Sequence, residues 1–312
     1  MKLVKYTVKH KDLWNDFVKN SKNTHFFFQR DYMEYHSDRF EDLSLMFFDA
    51  TDKLIAILPA NVKENIVYSH QGLTFGGFLV DDKMKTETML EIFELLKLFL
   101  KEQNIEKIVY KCIPYIYHLK PSEEDRYALF INNTNLIRRD VSATIDLNSK
   151  IKYQEQRARA VKKAMKNDLI FKESKDFKNY WKILEETLNT QHNAKPVHSI
   201  EEIEKLANLF SDNIKLFVAI KDNKMLGGTL VFENKTIVHT QYLANSFEGR
   251  NVGALDFVID KLINEVYSNK KYFDFGISNE DAGKYLNTGL IAQKEGFGAR
   301  AVVHDFYELE IK

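Results

Sequence analysis

One order of elements is written twice in this chain, and that repetition constrains the fold more than any other feature. "LSLMFFDATDKLIAILPANV" (43–62) reads as strand, polar turn, strand, and "NIVYSHQGLTFGG" (65–77) as a further strand running into a glycine-rich end. Apolar residues at helical spacing follow in "ETMLEIFELLKLFLKEQN" (87–104), then a short buried strand, "EKIVYKCI" (106–113), and "ATIDL" (143–147). The second half repeats the series: "IKLFVAIKDNKMLGGTLVFE" (214–233), "TIVHTQYLAN" (236–245), an amphipathic helix at 251–269, "KYFDFGI" (271–277) and "AVVHDFYELEI" (301–311). Setting Asp52-Lys53-Leu54 over Asn223-Lys224-Met225 sets His70 over Gln241. Each half therefore reads as a mostly antiparallel sheet flanked by helices, an α+β arrangement. The sequence places the domains at 1–147 and 148–312.

Charge narrows the function. With 45 basic and 45 acidic side chains, the chain lacks the broad basic surface of a general nucleic-acid binder. Cys112 is the single cysteine, which excludes an internal disulfide and a cysteine metal cage; it reads as a core residue. No apolar run is long enough to span a bilayer, and "MKLVKYTVKH" has no apolar signal-peptide core, so a cytoplasmic location is expected.

Against that balance, "QRARAVKKAMK" (156–166) holds five cations and no acid. A helix over 153–169 puts Val161, Met165 and Leu169 on one stripe and Arg159, Lys162, Lys163 and Lys166 on one face. Either that face is simply solvated, or it binds the phosphates of a nucleotide, a lipid diphosphate or an RNA backbone. Nine of the 12 glycines lie after residue 200, at element ends, so the second half is expected to carry the site. "SFEGRNVGALDF" (246–257) leads a strand into a helix, and such a loop offers free N–H groups and a helix dipole to an anion.

These features resemble the tandem GNAT-fold acyltransferases of the FemAB-like group, including relatives associated with surface polysaccharides and the cell envelope. The resemblance rests on the duplicated element order, on "RARAVKKAMKNDL", on "YFDFGIS…GKYLNTGLIAQKEGFGA" and on "YSHQGLTFGGFLVDD" (68–82). It implies two tandem GNAT-like domains and attack by an amine on an activated acyl carbon, with no covalent enzyme nucleophile. From it, Lys294 is expected to stabilise transition-state charge and Asp274 to pair with a cation or position the acceptor. Tyr285 and Asn287 are expected to line the pocket. The loop residues Arg250, Asn251, Gly253 and Ala254 are expected to hold the pyrophosphate of an acyl-CoA donor. The loop matches the GNAT pattern only in part, because Leu255 follows where a small residue is usual, and the helical arm of many FemAB proteins has no room here.

Other candidates come from the residues themselves. His70, beside Gln71 at a strand end, reads either as a base or hydrogen-bonding group for the acceptor, or as an ordinary partly buried histidine. Arg30 and His36 sit in "QRDYMEYHSDR" (29–39), where helical spacing would put Tyr32 and His36 on one face; they read as acceptor-site candidates. His192 and His198 lack a third ligand, so no metal is expected. The function read from the sequence is acyl transfer, from acyl-CoA, to an amine of a phosphorylated acceptor such as a sugar nucleotide or other cell-envelope precursor. The first alternative takes aminoacyl-tRNA as donor and a peptidoglycan precursor as acceptor. The second is a non-catalytic binding module with a degenerate GNAT site.

Overall fold

The computed structural model describes residues 1–192 and 194–312. The chain forms two compact units: Met1–Asp140 with Glu280–Tyr285 and Val303–Lys312, and Val141–Asn279 with Leu286–Val302. The sequence puts the division after residue 147; the structure puts it after Asp140 and returns the C-terminal residues to the first unit. The cause is strand pairing, since Phe306–Glu310 run antiparallel to Lys111–Lys107.

In the first unit the order is β1 (Lys2–Lys5), α1 (Lys11–Asn20), α2 (Arg30–Met33), β2 (Glu41–Asp42), β3 (Leu45–Phe48), β4 (Leu54–Leu58), β5 (Asn61–Lys63), β6 (Ile66–Tyr68), β7 (Leu79–Val80), α3 (Thr86–Glu102), β8 (Lys107–Lys111), α4 (Glu124–Ile131) and the start of β9 (Asn135–Asp146). Strands β1-β3-β4-β7 make one sheet; β2, β5, β6 and β8 pair in a second set, with β6 parallel to β8. Phe47, Leu58 and Phe78 close on Phe93 and Leu96 of α3, whose apolar stripe is buried while its other face stays wet.

The second unit takes the end of β9, then α5 (Glu155–Met165), β10 (Ile170–Ser174), α6 (Phe177–His192), α7 (Ile200–Leu209), β11 (Ile214–Lys221), β12 (Lys224–Glu233), β13 (Ile237–Asn245), α8 (Phe247–Val252), α9 (Ala254–Lys261) and β14 (Tyr272–Ile277). Short strands β15 (Asn279–Glu280) and β16 (Tyr285–Leu286), helix α10 (Thr288–Glu295) and β17 (Arg300–Glu310) complete the chain. The strand order is β10-β11-β12-β13-β14-β9, antiparallel save for β13 beside β14. Alternation along the strands sends Val238, Phe273, Phe275, Ala143 and Ile145 into a core with Val258 and Ile259 of α9.

The repetition read in the sequence is present residue by residue. Asp52 (φ 58°) and Asn223 (φ 61°) take the left-handed turn position of equivalent hairpins. The parallel pair starts at Ile66↔Lys107 in one unit and at Ile237↔Tyr272 in the other, at the same sequence offset as the two turns. In the first unit the strand matching β12 is split into β4 and β5 at Pro59, which has no N–H to give a ladder. No helix among the described residues is long and apolar enough to cross a membrane.

Candidate active site

Three neighbouring strands of the second unit set a row of polar side chains on the sheet face opposite the α9 core. Ser142 and Thr144 stand on β9, Asp274 on β14 and His239 on β13; each alternates with core residues, so all four share one face. Asp274 is fully buried. Its Oδ1 accepts hydrogen bonds from Ser142 Oγ and Thr144 Oγ1, both at 2.6 Å, and His239 Nδ1 lies 2.7 Å from its Oδ2. A buried carboxylate carries a large desolvation cost unless paired, and these contacts offset it.

His239 and Asp274 are also the last partners of the parallel pairing. β13 continues to Asn245 and β14 to Ile277, but their register ends there, so the strands fork immediately beyond. A bulge at Gln241 interrupts the β12–β13 ladder just past the fork, between Leu230↔Tyr242 and Val231↔Thr240. Thr240 Oγ1 is buried beside the bulge with no hydrogen-bond partner among the described residues.

Lys294 of α10 closes the far side of the fork. Its Nζ donates to the carbonyls of Gly276 (2.9 Å) and Ile277 (2.7 Å) and to Ser278 Oγ (2.9 Å). An ammonium has three donors, and all three are directed at these oxygens. Burial pushes the Lys294 pKa down to about 8, against the opposing pull of Asp274. The lysine singled out in the sequence thus ties down the chain reversal after β14. Asn287, expected to line the pocket, caps α10 by accepting from Leu290 N at 2.9 Å. Tyr285 is exposed and belongs to the first unit.

The expected cofactor loop runs into a helix start packed against α5. Arg250 and Asn251 lie exposed on the short helix α8, and Gly253 turns left-handed (φ 77°) into α9. A side-chain carbon on Gly253 would sit 2.6 Å from the backbone oxygen of Ala160 in α5. Ala254 and Asp256 of the first α9 turn are buried, and Arg157 Nη1 joins Asp256 Oδ1 at 2.8 Å. Helix α5 therefore packs against the start of α9. Between β13, β14, α9 and α10, Leu243, Ile259, Phe275 and Phe297 leave a narrow cavity beside Lys294, with room for about one water. Of the expected loop residues, Gly253 and Ala254 are thus packed under α5, while Arg250 and Asn251 stay exposed.

The same helix keeps its cations outward. Arg159, Lys162, Lys163 and Lys166 are exposed, with Arg159 3.5 Å from Glu155. The helix ends at Met165, which is 55% exposed, and Val161 and Ala164 supply its buried stripe in place of the expected Val161, Met165 and Leu169.

The first-unit candidates gather apart from this cluster in sequence and in role. Arg30 is buried, pairing with Glu34 (2.9 Å) and Asp42 and stacking 3.8 Å over the Tyr6 ring, so it is spent on the fold. The helix expected through Tyr32 and His36 breaks at His36, which stacks on Tyr35 at 4.1 Å. His70 is buried with φ 66°, its ring 5.6 Å from that of His36. Burial, helped by His36 and Lys111, pushes its pKa down to about 3, so it is neutral at physiological pH. Gln71 is locked by Asn61 at 2.8 Å through both side chain and backbone. Lys111, not singled out in the sequence, donates to the carbonyls of His70 (3.0 Å), Gln71 (3.3 Å) and Leu73 (2.5 Å), repeating the way Lys294 ties the loop after β14.

Sequence reasoning found Asp274 and Lys294 but missed His239, Ser142 and Thr144. The signal was a polar residue in third place in each apolar strand, "IVH" and "YFD", which parallel pairing in register makes neighbours. His198 donates or accepts at Tyr242 Oη, 2.8 Å away; the side chain of His192 lies outside the described residues. Among the described residues no three His, Cys, Asp or Glu side chains gather as a metal-binding group.

No protein-family model matches the chain, and no curated protein matches it. Solved structures do. FemX is 12% identical, with 98% of this chain and 97% of that one covered and a TM-score of 0.68. L-PGS from Bacillus licheniformis is 10% identical, with coverage of 99% and 93% and a TM-score of 0.63. A tandem GNAT protein from the clavulanic acid biosynthesis pathway is 10% identical, with coverage of 100% and 98% and a TM-score of 0.52. At these identities the likeness shows the fold: two tandem GNAT-like domains in an α+β chain, as the sequence resemblance implied.

Proposed function

We propose that the second unit transfers an acyl group from an aminoacyl-tRNA ester to an amine of a cell-envelope precursor, at the fork of β13 and β14. The observation that supports the choice of donor is the packing of α5 against Gly253 at the start of α9, which crowds the anion site an acyl-CoA donor would need. The exposed cations of α5 supply what the alternative needs, a compact run of charge for an RNA backbone. A neutral protein can bind RNA through such a local face, because counterion release scales with the phosphates met and not with net charge.

The fork suits acyl transfer. Where β13 and β14 part, their ladder stops at His239 and Asp274, and backbone N–H groups turned toward the gap can receive the developing oxyanion. Lys294 holds the rim still, so the reacting carbonyl and amine meet a preorganised site. The cell-envelope acceptor follows the FemAB resemblance and the likeness to FemX and L-PGS.

The test is a transfer assay. Total tRNA charged with labelled amino acids, and separately labelled acetyl-CoA, are incubated with the protein and a lipid-free peptidoglycan precursor. Label should pass into an amide from charged tRNA and not from acetyl-CoA, and coenzyme A should leave the melting temperature unmoved. Transfer from acetyl-CoA alone would overturn the choice of donor.

A further inference from the structure

We infer that Thr240 donates its hydroxyl hydrogen bond to the carbonyl oxygen of the donor ester as that oxygen gains charge. This deepens the transferase function proposed for the fork and rests on it. Thr240 follows His239, the last residue of β13 in register with β14. On its other side it pairs with Val231 of β12, and the bulge at Gln241 interrupts that ladder directly beyond. Bulges gather beside active sites, where they re-aim a side chain. Directly opposed residues of an antiparallel pair point to one face, and Val231 belongs to the α9 core, so Thr240 points to that face as well. Phe275 of β14 is in the same core and lines the narrow cavity beside Lys294.

Packing there suits a valine, yet the residue is threonine. Thr240 is 4% exposed, and its Oγ1 has no partner among the described residues. A buried hydroxyl without a partner lowers stability, and an apolar group of the same shape removes that penalty. Other donors about the fork are engaged. Ser142 and Thr144 donate to Asp274 Oδ1, and the three donors of Lys294 meet two carbonyls and Ser278 Oγ. The fold thus leaves the Thr240 hydroxyl unused at the place where a reacting carbonyl needs a donor already in position. Stability given up beside the chemistry is the mark of a group kept for function.

The contact adds no proton transfer of its own. The neutral amine attacks the ester carbon, a C–N bond forms, and the carbonyl electron pair moves onto the oxygen, which accepts from the Thr240 hydroxyl. As the tetrahedral adduct collapses, that pair returns and the C–O bond to the tRNA ribose breaks. The proton shed by the amine ends on the departing ribose oxygen, and Thr240 keeps its own proton throughout. A hydrogen bond strengthens as charge builds on its acceptor, so this one lowers the barrier more than it tightens donor binding.

The experiment compares wild type, Thr240→Val and Thr240→Ser by calorimetry and in steady-state transfer from charged tRNA. Thr240→Val keeps the shape and removes the hydroxyl. Its melting temperature should hold or rise, while kcat falls about 10²–10³-fold with donor KM held. Thr240→Ser keeps the hydroxyl and should keep most of the rate. A Thr240→Val variant with wild-type kcat, whether or not its KM rises, overturns the contact to the developing oxyanion and leaves the transferase standing. A lower melting temperature in Thr240→Val overturns it too, because the hydroxyl then serves the fold. A wild type inert toward charged tRNA and acetyl-CoA alike overturns the transferase function and this contact with it.

Discussion

Gly276 passes through a left-handed turn directly against the imidazole of His239, with room for a hydrogen and not for a methyl: an added carbon would stand 2.9 Å from Cε1. Gly276→Ala therefore carries two penalties, a disfavoured backbone conformation of about 1–3 kcal/mol and displacement of the ring from Asp274. We expect a folded protein of lower melting temperature whose transfer rate falls at least about tenfold. Calorimetry and the charged-tRNA assay measure both; unchanged activity would mean that the ring position does not matter to the chemistry.

Lys294→Met keeps the length of the side chain and removes its donors. Two buried acceptors and one part-buried one then lose their partner, at about 1–3 kcal/mol for each buried unsatisfied group. The rim after β14 should loosen, and kcat should fall while donor KM stays. Lys294→Arg should not restore it, since a planar fork cannot meet the same three oxygens. A variant with a raised KM and normal kcat would instead make Lys294 a substrate-binding residue.

His70 links the first unit to acid stability. Its folded pKa, near 3, lies below the usual 6.5, so the unfolded chain binds the extra proton between those values. The stability it contributes is complete above about pH 6.5 and is lost as pH falls toward 3. His70→Asn suits the left-handed backbone and does not titrate. Between pH 7 and pH 4 it should lose ~3 kcal/mol less than wild type, read from urea midpoints at each pH. His118, lowered to about 4 by burial, titrates in the same window and leaves a residual slope in both proteins.

The exposed face of α5 gives a salt-dependent prediction. Replacing Arg159, Lys162, Lys163 and Lys166 together by Ala should weaken tRNA binding and reduce the slope of log affinity against log salt by up to about one per cation. Folding should hold, because each side chain is exposed and Ala favours helix. An unaltered salt slope would place the RNA elsewhere.

The duplicated hairpins and the parallel strand pairs were legible because turn chemistry and period-two alternation are local. Asp52 and Asn223 announce the same turn, and the offset between them carries through to Ile66 and Ile237. Asp274 was legible as a polar residue between two phenylalanines. His239 was not, because its meaning arises only when parallel pairing in register brings β14 beside it. Lys294 was found, but its contacts were not, since the carbonyls of Gly276 and Ile277 that it meets converge only after β14 turns. The loop at Arg250–Ala254 looked open for a like reason: nothing near it in sequence shows that Ala160 packs against Gly253.

Hydrogen exchange with an amide-linked aminoacyl adenosine, a stable stand-in for the end of charged tRNA, tests the fork as the place of transfer most directly. Binding should protect residues 239–245 of β13 and 274–278 after the fork. Protection confined to residues 69–77 of the first unit, with β13 and β14 unaffected, would contradict it.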